Sequence, residues 1–181
     1  MIKTPKKAVR FPDALYVEDI DKLLNANMER TDKLKVRDQA IIELLYASGV
    51  RASELVNIEY KDIDARSRTI RIIGKGNKER IVPFSKTCRA AMQQYEKESR
   101  PELLEHNKTE YNVDYYFLNA NGKKLTVRGL EYILKEIESK TGLFLSLHPH
   151  KLRHTAATLM HKYGNVDIRA LQELLGHESI A

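Results

Sequence analysis

The stretch Thr69-Ile70-Arg71-Ile72-Ile73-Gly74-Lys75-Gly76-Asn77-Lys78-Glu79-Arg80-Ile81-Val82-Pro83 falls into three parts. Residues 69–73 and 80–83 are short runs rich in β-branched side chains and read as two strands. Gly74-Lys75-Gly76-Asn77 between them reads as the turn, the glycines supplying backbone angles that other residues avoid. The hairpin is basic. From Arg66 to Arg80 the chain carries Arg66, Arg68, Arg71, Lys75, Lys78 and Arg80 against one acid, Glu79. Charge runs are ordinarily solvated faces. Set around a glycine turn, this one makes a protruding positive ridge.

Outward from the hairpin the periodicity is mostly helical. A helix is expected over residues 17–29, with Ile20, Leu23 and Leu24 inward. Another is expected over 35–48, where Val36, Ala40, Ile41, Leu44 and Leu45 keep the three-to-four spacing of one face. Gly49 is its natural stop. Residues 53–56 read as a short helix, with Ser53 as an alternative cap. Downstream, residues 85–99 read as a helix and 115–118 as a third strand, followed by a turn over 119–122. Thr126 is placed to cap a helix presenting Val127, Leu130, Ile133, Leu134 and Ile137, ended by Gly142. Pro149 suits the first position of a helix over 150–163, and a last helix is expected over 167–175. The fold class is α+β, mainly helical, with a small antiparallel sheet.

The chain has 181 residues, enough for one domain with a real core. Lys plus Arg number 31 against 25 acids, a net charge of +6 that suits a polyanionic partner without establishing one. Cys88 is the one cysteine, so no internal disulfide forms, and a buried helix cysteine is its expected role. No apolar run is long enough to span a bilayer, and no signal-peptide core is visible. The expectation is a soluble cytoplasmic protein with no membrane association. Residues 1–12, basic and with two prolines, read as a linker or arm ahead of a domain over 13–181.

Four separated pieces carry candidate chemistry. They are Ser48-Gly49-Val50-Arg51-Ala52-Ser53-Glu54-Leu55, the Lys75 turn, His150-Lys151-Leu152-Arg153-His154, and Leu175-Gly176-His177. Taken singly, Arg51 is a solvated helix-end charge or a partner of Glu54 three residues on, and Lys75 is a surface turn lysine. His150 alone is a capping or surface histidine. Taken together they suit a phosphate. A guanidinium fork matches two phosphate oxygens, and a lysine among cations is tuned towards acid–base work. His150 and Arg153 share a helix face near an N-terminus. His148, His150 and His154 also invite zinc, but Lys151 stands where the metalloprotease pattern has Glu, and the nearby cations oppose a divalent ion. No metal or cofactor is expected.

In order and spacing the four pieces resemble the catalytic domain of the tyrosine recombinases, also called the phage integrase family. The likeness to Xer-type recombinases and to integrases of phages and mobile elements runs from about Phe11 to Ala181. The resemblance implies that Arg51, Lys75, His150, Arg153 and His177 are catalytic, with Glu54 buttressing the first arginine and His154 in support. It implies double-stranded DNA as partner, with Arg71, Lys78 and Arg80 as further DNA contacts. It also implies cleavage and rejoining of DNA through a 3′-phosphotyrosyl bond.

The resemblance puts the nucleophilic tyrosine shortly after the Leu-Gly-His motif. All nine tyrosines here precede His177. The expectation is therefore an excised core, monomeric and inactive alone, whose nucleophile lies beyond Ala181 and whose full-length form assembles as a tetramer on DNA. The competing expectation is a non-catalytic DNA-binding or regulatory relative.

Overall fold

The computed structural model describes residues 14–109 and 113–163. Helix α1 (Val17–Met28) buries Ile20, Leu23 and Asn27. The Tyr16 amide donates to Asp19 Oδ2 at 3.2 Å, closing its first turn. Helix α2 (Lys35–Ser48) is buried almost all round and packs on α1, α4 and α7, which makes it the axis of the domain. It ends at Gly49, whose φ of +66° is the left-handed conformation that glycine adopts without a Cβ penalty. Helix α3 (Ala52–Val56) follows at once. Ser53 lies inside it, and Arg51 takes the cap position, so the alternative Ser53 cap is not used.

Strands β1 (Ile63–Asp64), β2 (Thr69–Ile73) and β3 (Glu79–Pro83) form one antiparallel sheet in that order, with Ile72 opposite Arg80 and Ile73 opposite Glu79. The expected third strand at 115–118 is replaced by β1. Tyr115 and Leu118 make only isolated bridges, to Glu59 and Lys124. The physical reason is burial. Tyr116, Phe117 and Leu118 are core residues, and Tyr116 and Phe117 meet edge to face with ring centres 4.8 Å apart.

Helix α4 (Lys86–Gln94) is capped by Ser85, whose Oγ accepts from the Cys88 amide at 3.1 Å. It continues through a wide turn (Tyr95–Ser99) into α5 (Arg100–Glu105), beyond the expected end at residue 99. Pro101 is compatible because it falls in the first turn of α5, where no amide donor is needed. Cys88 is fully buried and burial pushes its thiol up, as suits a core residue. Helix α6 (Val127–Thr141) is capped by Thr126, whose Oγ1 accepts from the Gly129 amide, and it ends at Gly142 with φ of +73°. Helix α7 (Pro149–Tyr163) follows. The expected helix over 167–175, and His177 with it, lies outside the described residues. No helix among the described residues is long and apolar enough to cross a membrane.

A buried polar network fixes α1 against α2. Arg30 donates to Asp38 Oδ2 at 2.7 Å, to Asn27 Oδ1 at 2.8 Å and to both oxygens of Asp32. Arg37 bridges Asp38 to the Leu118 carbonyl. The hydrogen bonds from Arg30, against the opposing effect of burial and with help from the charges of Arg30 and Lys140, hold the Asp32 carboxyl down at about 2. A folded value below the ordinary 3.8 means that this contribution is complete above pH 4 and is lost as pH falls through about 2. Asp32→Asn should therefore have a lower urea midpoint than the parent at pH 6, with the gap closing on acidification through that window. A gap of constant size from pH 6 to pH 2 would contradict the linkage.

Candidate functional site

The turn from α2 into α3 sets Arg51. Val50 is fully buried and pins the chain, so the next residue emerges at the cap of α3 in extended conformation. The Arg51 amide donates to Glu54 Oε1 at 2.9 Å. The β2–β3 hairpin arrives from the other side. Its tip is a tight turn (Lys75–Asn77) with Gly76 at φ +71° and Asn77 at +58°. Lys75, on the tip, is exposed. Arg51, Ser53, Glu54, Asn57, Ile73, Gly74 and Lys75 line one open cleft of about 550 Å³. Two of the residues expected from sequence, Arg51 and Lys75, thus share one cavity although 24 positions separate them.

Arg153, on α7, is not among the residues that line the cleft, but it approaches one of them, Glu54. Arg153 is only 4% exposed, and its Nη1 lies 3.9 Å from Glu54 Oε1. The Glu54 carboxylate is also gripped from the hairpin, by Arg80 Nη1 at 2.5 Å and Arg80 Nη2 at 2.9 Å. Burial alone would raise the Glu54 carboxyl. The Arg80 hydrogen bonds, the Arg51 amide and the neighbouring guanidiniums outweigh it, and the group lies below its ordinary range. Arg153 shows the opposite imbalance. Burial first, then the charge of Arg51, with Glu54 opposing and Arg80 adding, lower its guanidinium to about 10. A base depressed in the folded state carries its charge at a cost to stability at every pH below that value.

His148 precedes Pro149, and its Nδ1 accepts from the Lys151 amide at 3.2 Å. The cap of α7 is therefore His148, not His150. Proline at the first helical position was the signal, since the residue before it takes the cap. His150 is exposed, one turn from Arg153, and does not line the cleft. Its ring centre is 3.9 Å from that of His154. Among the described residues no group of three or more His, Cys, Asp or Glu is arranged to hold a metal ion.

The basic ridge is partly neutralised within the fold. Arg71 Nε and Nη2 donate to Asp62 Oδ1 at 3.1 and 2.9 Å, and Nη1 donates to Glu79 Oε1 at 3.2 Å. Arg80 is spent on Glu54, while Lys78 is exposed. The role of Glu54 as hub of three arginines, and that of Arg80 as its partner, were not legible from the local run. No described tyrosine lines the cleft. Tyr95 and Tyr116 are buried, their hydroxyls donate to the Tyr116 and Met92 carbonyls, and burial pushes both phenols up.

The Phage integrase family model matches residues 13–181. The chain belongs to the phage integrase family. It is similar to the tyrosine recombinase XerC of Staphylococcus epidermidis, 41% identical over 177 residues, 98% of this chain and 57% of that protein. The crystal structure of XerA recombinase superposes with a TM-score of 0.77 at 28% identity, covering 97% of this chain and 58% of the other. That of the site-specific recombinase XerH bound to its difH substrate, a pre-cleavage complex, gives 0.74 at 26% identity, covering 97% and 50%. The chain thus spans little more than half the length of the relatives it matches, and the fold is that of the family's catalytic domains.

Glu54→Gln removes the carboxylate charge shared by Arg51, Arg80 and Arg153. Leaving buried guanidiniums uncompensated should cost about 3 kcal/mol in urea unfolding, with part of the loss recovered in sulfate or phosphate buffer as an anion enters the site. An unchanged urea midpoint would show that Glu54 is not the hub.

Proposed function

We propose that this chain is the catalytic domain of a site-specific DNA recombinase that cuts and rejoins DNA through a phosphotyrosyl intermediate. The observation that carries the reading is the meeting of Arg51 and Lys75 at one open cleft whose Glu54 also lies 3.9 Å from the buried Arg153. Membership of the family and the DNA-bound relative support it.

The chemistry follows from where charge moves. A tyrosine hydroxyl attacks a DNA phosphorus in line; the bond from phosphorus to the 5′ oxygen breaks as the bond to the tyrosine oxygen forms. Arg51 and Arg153 bind the non-bridging oxygens, whose charge grows in the transition state. Lys75, on an exposed turn, gives its proton to the leaving 5′ oxygen, and His150 takes the proton from the tyrosine. His177 adds a hydrogen bond to the phosphate. One phosphate ester bond replaces another, so no external energy source is needed. A 5′-hydroxyl from a second strand reverses the attack and exchanges the strands.

Within this reading the nucleophile is a tyrosine C-terminal to His177. Tyr95 and Tyr116 are unsuited, being buried and tied to backbone carbonyls. Lys78 is proposed as a backbone contact to duplex DNA. The working form is a tetramer on DNA in the cytoplasm, with residues 1–12 joining the domain to a preceding part.

Arg153→Ala separates an enzyme from a binder. Expressed from the native reading frame, the variant should lose about 100-fold or more in strand exchange, the size of a lost transition-state donor, and less than about tenfold in duplex affinity. Equal losses in both assays would favour a non-catalytic DNA-binding relative.

A further inference from the structure

Arg80 stands on β3, yet it does not point along the basic ridge. Both of its terminal nitrogens are engaged by Glu54, at 2.5 and 2.9 Å, and its side chain is 14% exposed. Glu54 belongs to α3, the helix that starts immediately after Arg51, and its Oε1 also accepts the Arg51 amide. Arg80 is therefore the covalent continuation of the hairpin at one end and an ion pair to the Arg51 helix at the other.

The root of the Lys75 turn lies directly against this pair. Gly74, the residue before Lys75, closes the loop with its amide on the Lys78 carbonyl at 2.8 Å. A Cβ built on Gly74 would sit 3.3 Å from Glu54 Oε2 and 3.7 Å from Arg80 Nη1. Its φ of −97° is open to any residue, so glycine is needed there for close approach rather than for its backbone angles. The opposing residue in the ladder, Ile72, faces Arg80 itself. The tip beyond is exposed and has no ion pair from Lys75 or Lys78 among the described residues. Beside the β2–β3 ladder and the Arg71 pairs with Asp62 and Glu79, the contact at its root ties the tip to α3.

We propose that Arg80 is a positioning residue: its two-pronged pair with Glu54 latches the β2–β3 hairpin to the start of α3, so that Lys75 and Arg51 face the same phosphate. This rests on the reading of Lys75 as a phosphate-facing group, and it sets Arg80 apart from the DNA contacts with which the sequence groups it. Arg80 acts on DNA only through Lys75. A two-pronged guanidinium suits this task because it fixes orientation as well as distance, which a lysine at the same place does not.

A double-mutant cycle tests this with the chain itself and a labelled duplex. The four proteins are the parent, Lys75→Ala, Arg80→Ala and the double variant. Each single change should weaken binding by about threefold to tenfold, the worth of one phosphate contact, and the double variant should bind no more weakly than the worse single one. Multiplied losses, with a salt dependence reduced by two phosphate contacts instead of one, would show that Arg80 touches DNA itself and would overturn the latch. Amide hydrogen exchange gives a second readout that needs no DNA. In Arg80→Ala the Gly74 amide and its neighbours to residue 78 should exchange about tenfold faster or more, while the interiors of α2 and α6 keep their rates. Unchanged exchange at 74–78 would also overturn the proposal. Loss of the Lys75→Ala effect on DNA, with the exchange result as expected, would count against the functional reading of Lys75 and leave the latch standing. Arg80→Lys, which keeps the charge but one prong, and Gly74→Ala, which crowds the pair without changing charge, carry the same two tests if Arg80→Ala does not fold. Both should give intermediate exchange.

Discussion

The Glu54 carboxylate is one buried negative charge against the guanidiniums of Arg80 and Arg153, with the charge of Arg51 also acting on it, and the arrangement of the site depends on it. It accepts the Arg51 amide, which fixes the first turn of α3. It holds Arg80, which brings in the hairpin. It lies within ion-pairing reach of Arg153, which brings in α7. Three elements far apart in sequence converge because each supplies a cation, and burying those cations without a shared anion would be prohibitive. The convergence leaves an excess of positive charge, and burial first, then the charges of Arg51 and Arg80, lower the Arg153 guanidinium.

That excess connects stability to function. A fold optimised for stability alone would match its buried cations with as many carboxylates, as Arg30 and Arg37 are matched with Asp32 and Asp38 at the α1–α2 junction. Around Glu54 the balance is left incomplete on the side that opens into the cleft. Under the proposed function a phosphodiester supplies the missing negative charge, beside Lys75. The rest of the fold keeps the two halves of the site in place. Helix α2 packs on α7 and ends in the left-handed turn at Gly49 that delivers Arg51.

Helices α1, α2, α6 and α7 were legible because apolar spacing and terminal signals agreed: Gly49 and Gly142 as stops, Thr126 as a cap, Pro149 as a first residue. The hairpin was legible from its two β-branched arms and glycine turn. The sheet's third strand was not, because the aromatic run at 115–118 has the composition of a strand but serves the core, while the two-residue β1 is too short to carry a pattern. The continuation past residue 99 was hidden by Pro101, which stops a helix in its interior but not in its first turn. At the site, Arg51 and Lys75 stood out by their flanking residues. The ion pairs of Arg80 with Glu54 and Arg71 with Asp62 did not, because they join residues 26 and 9 positions apart that no local spacing rule connects. A cation in a basic run looks the same in sequence whether it faces solvent or a carboxylate.

Whether Arg51, Arg153 and Lys75 form one phosphate site is decided by a crystal structure of the chain soaked with tungstate, read by anomalous scattering. One dominant oxyanion is expected between Arg51 and Arg153, its oxygens about 3 Å from both guanidiniums, with Lys75 on the open side. An oxyanion bound elsewhere, with the space between Arg51 and Arg153 unoccupied at saturating tungstate, would contradict it.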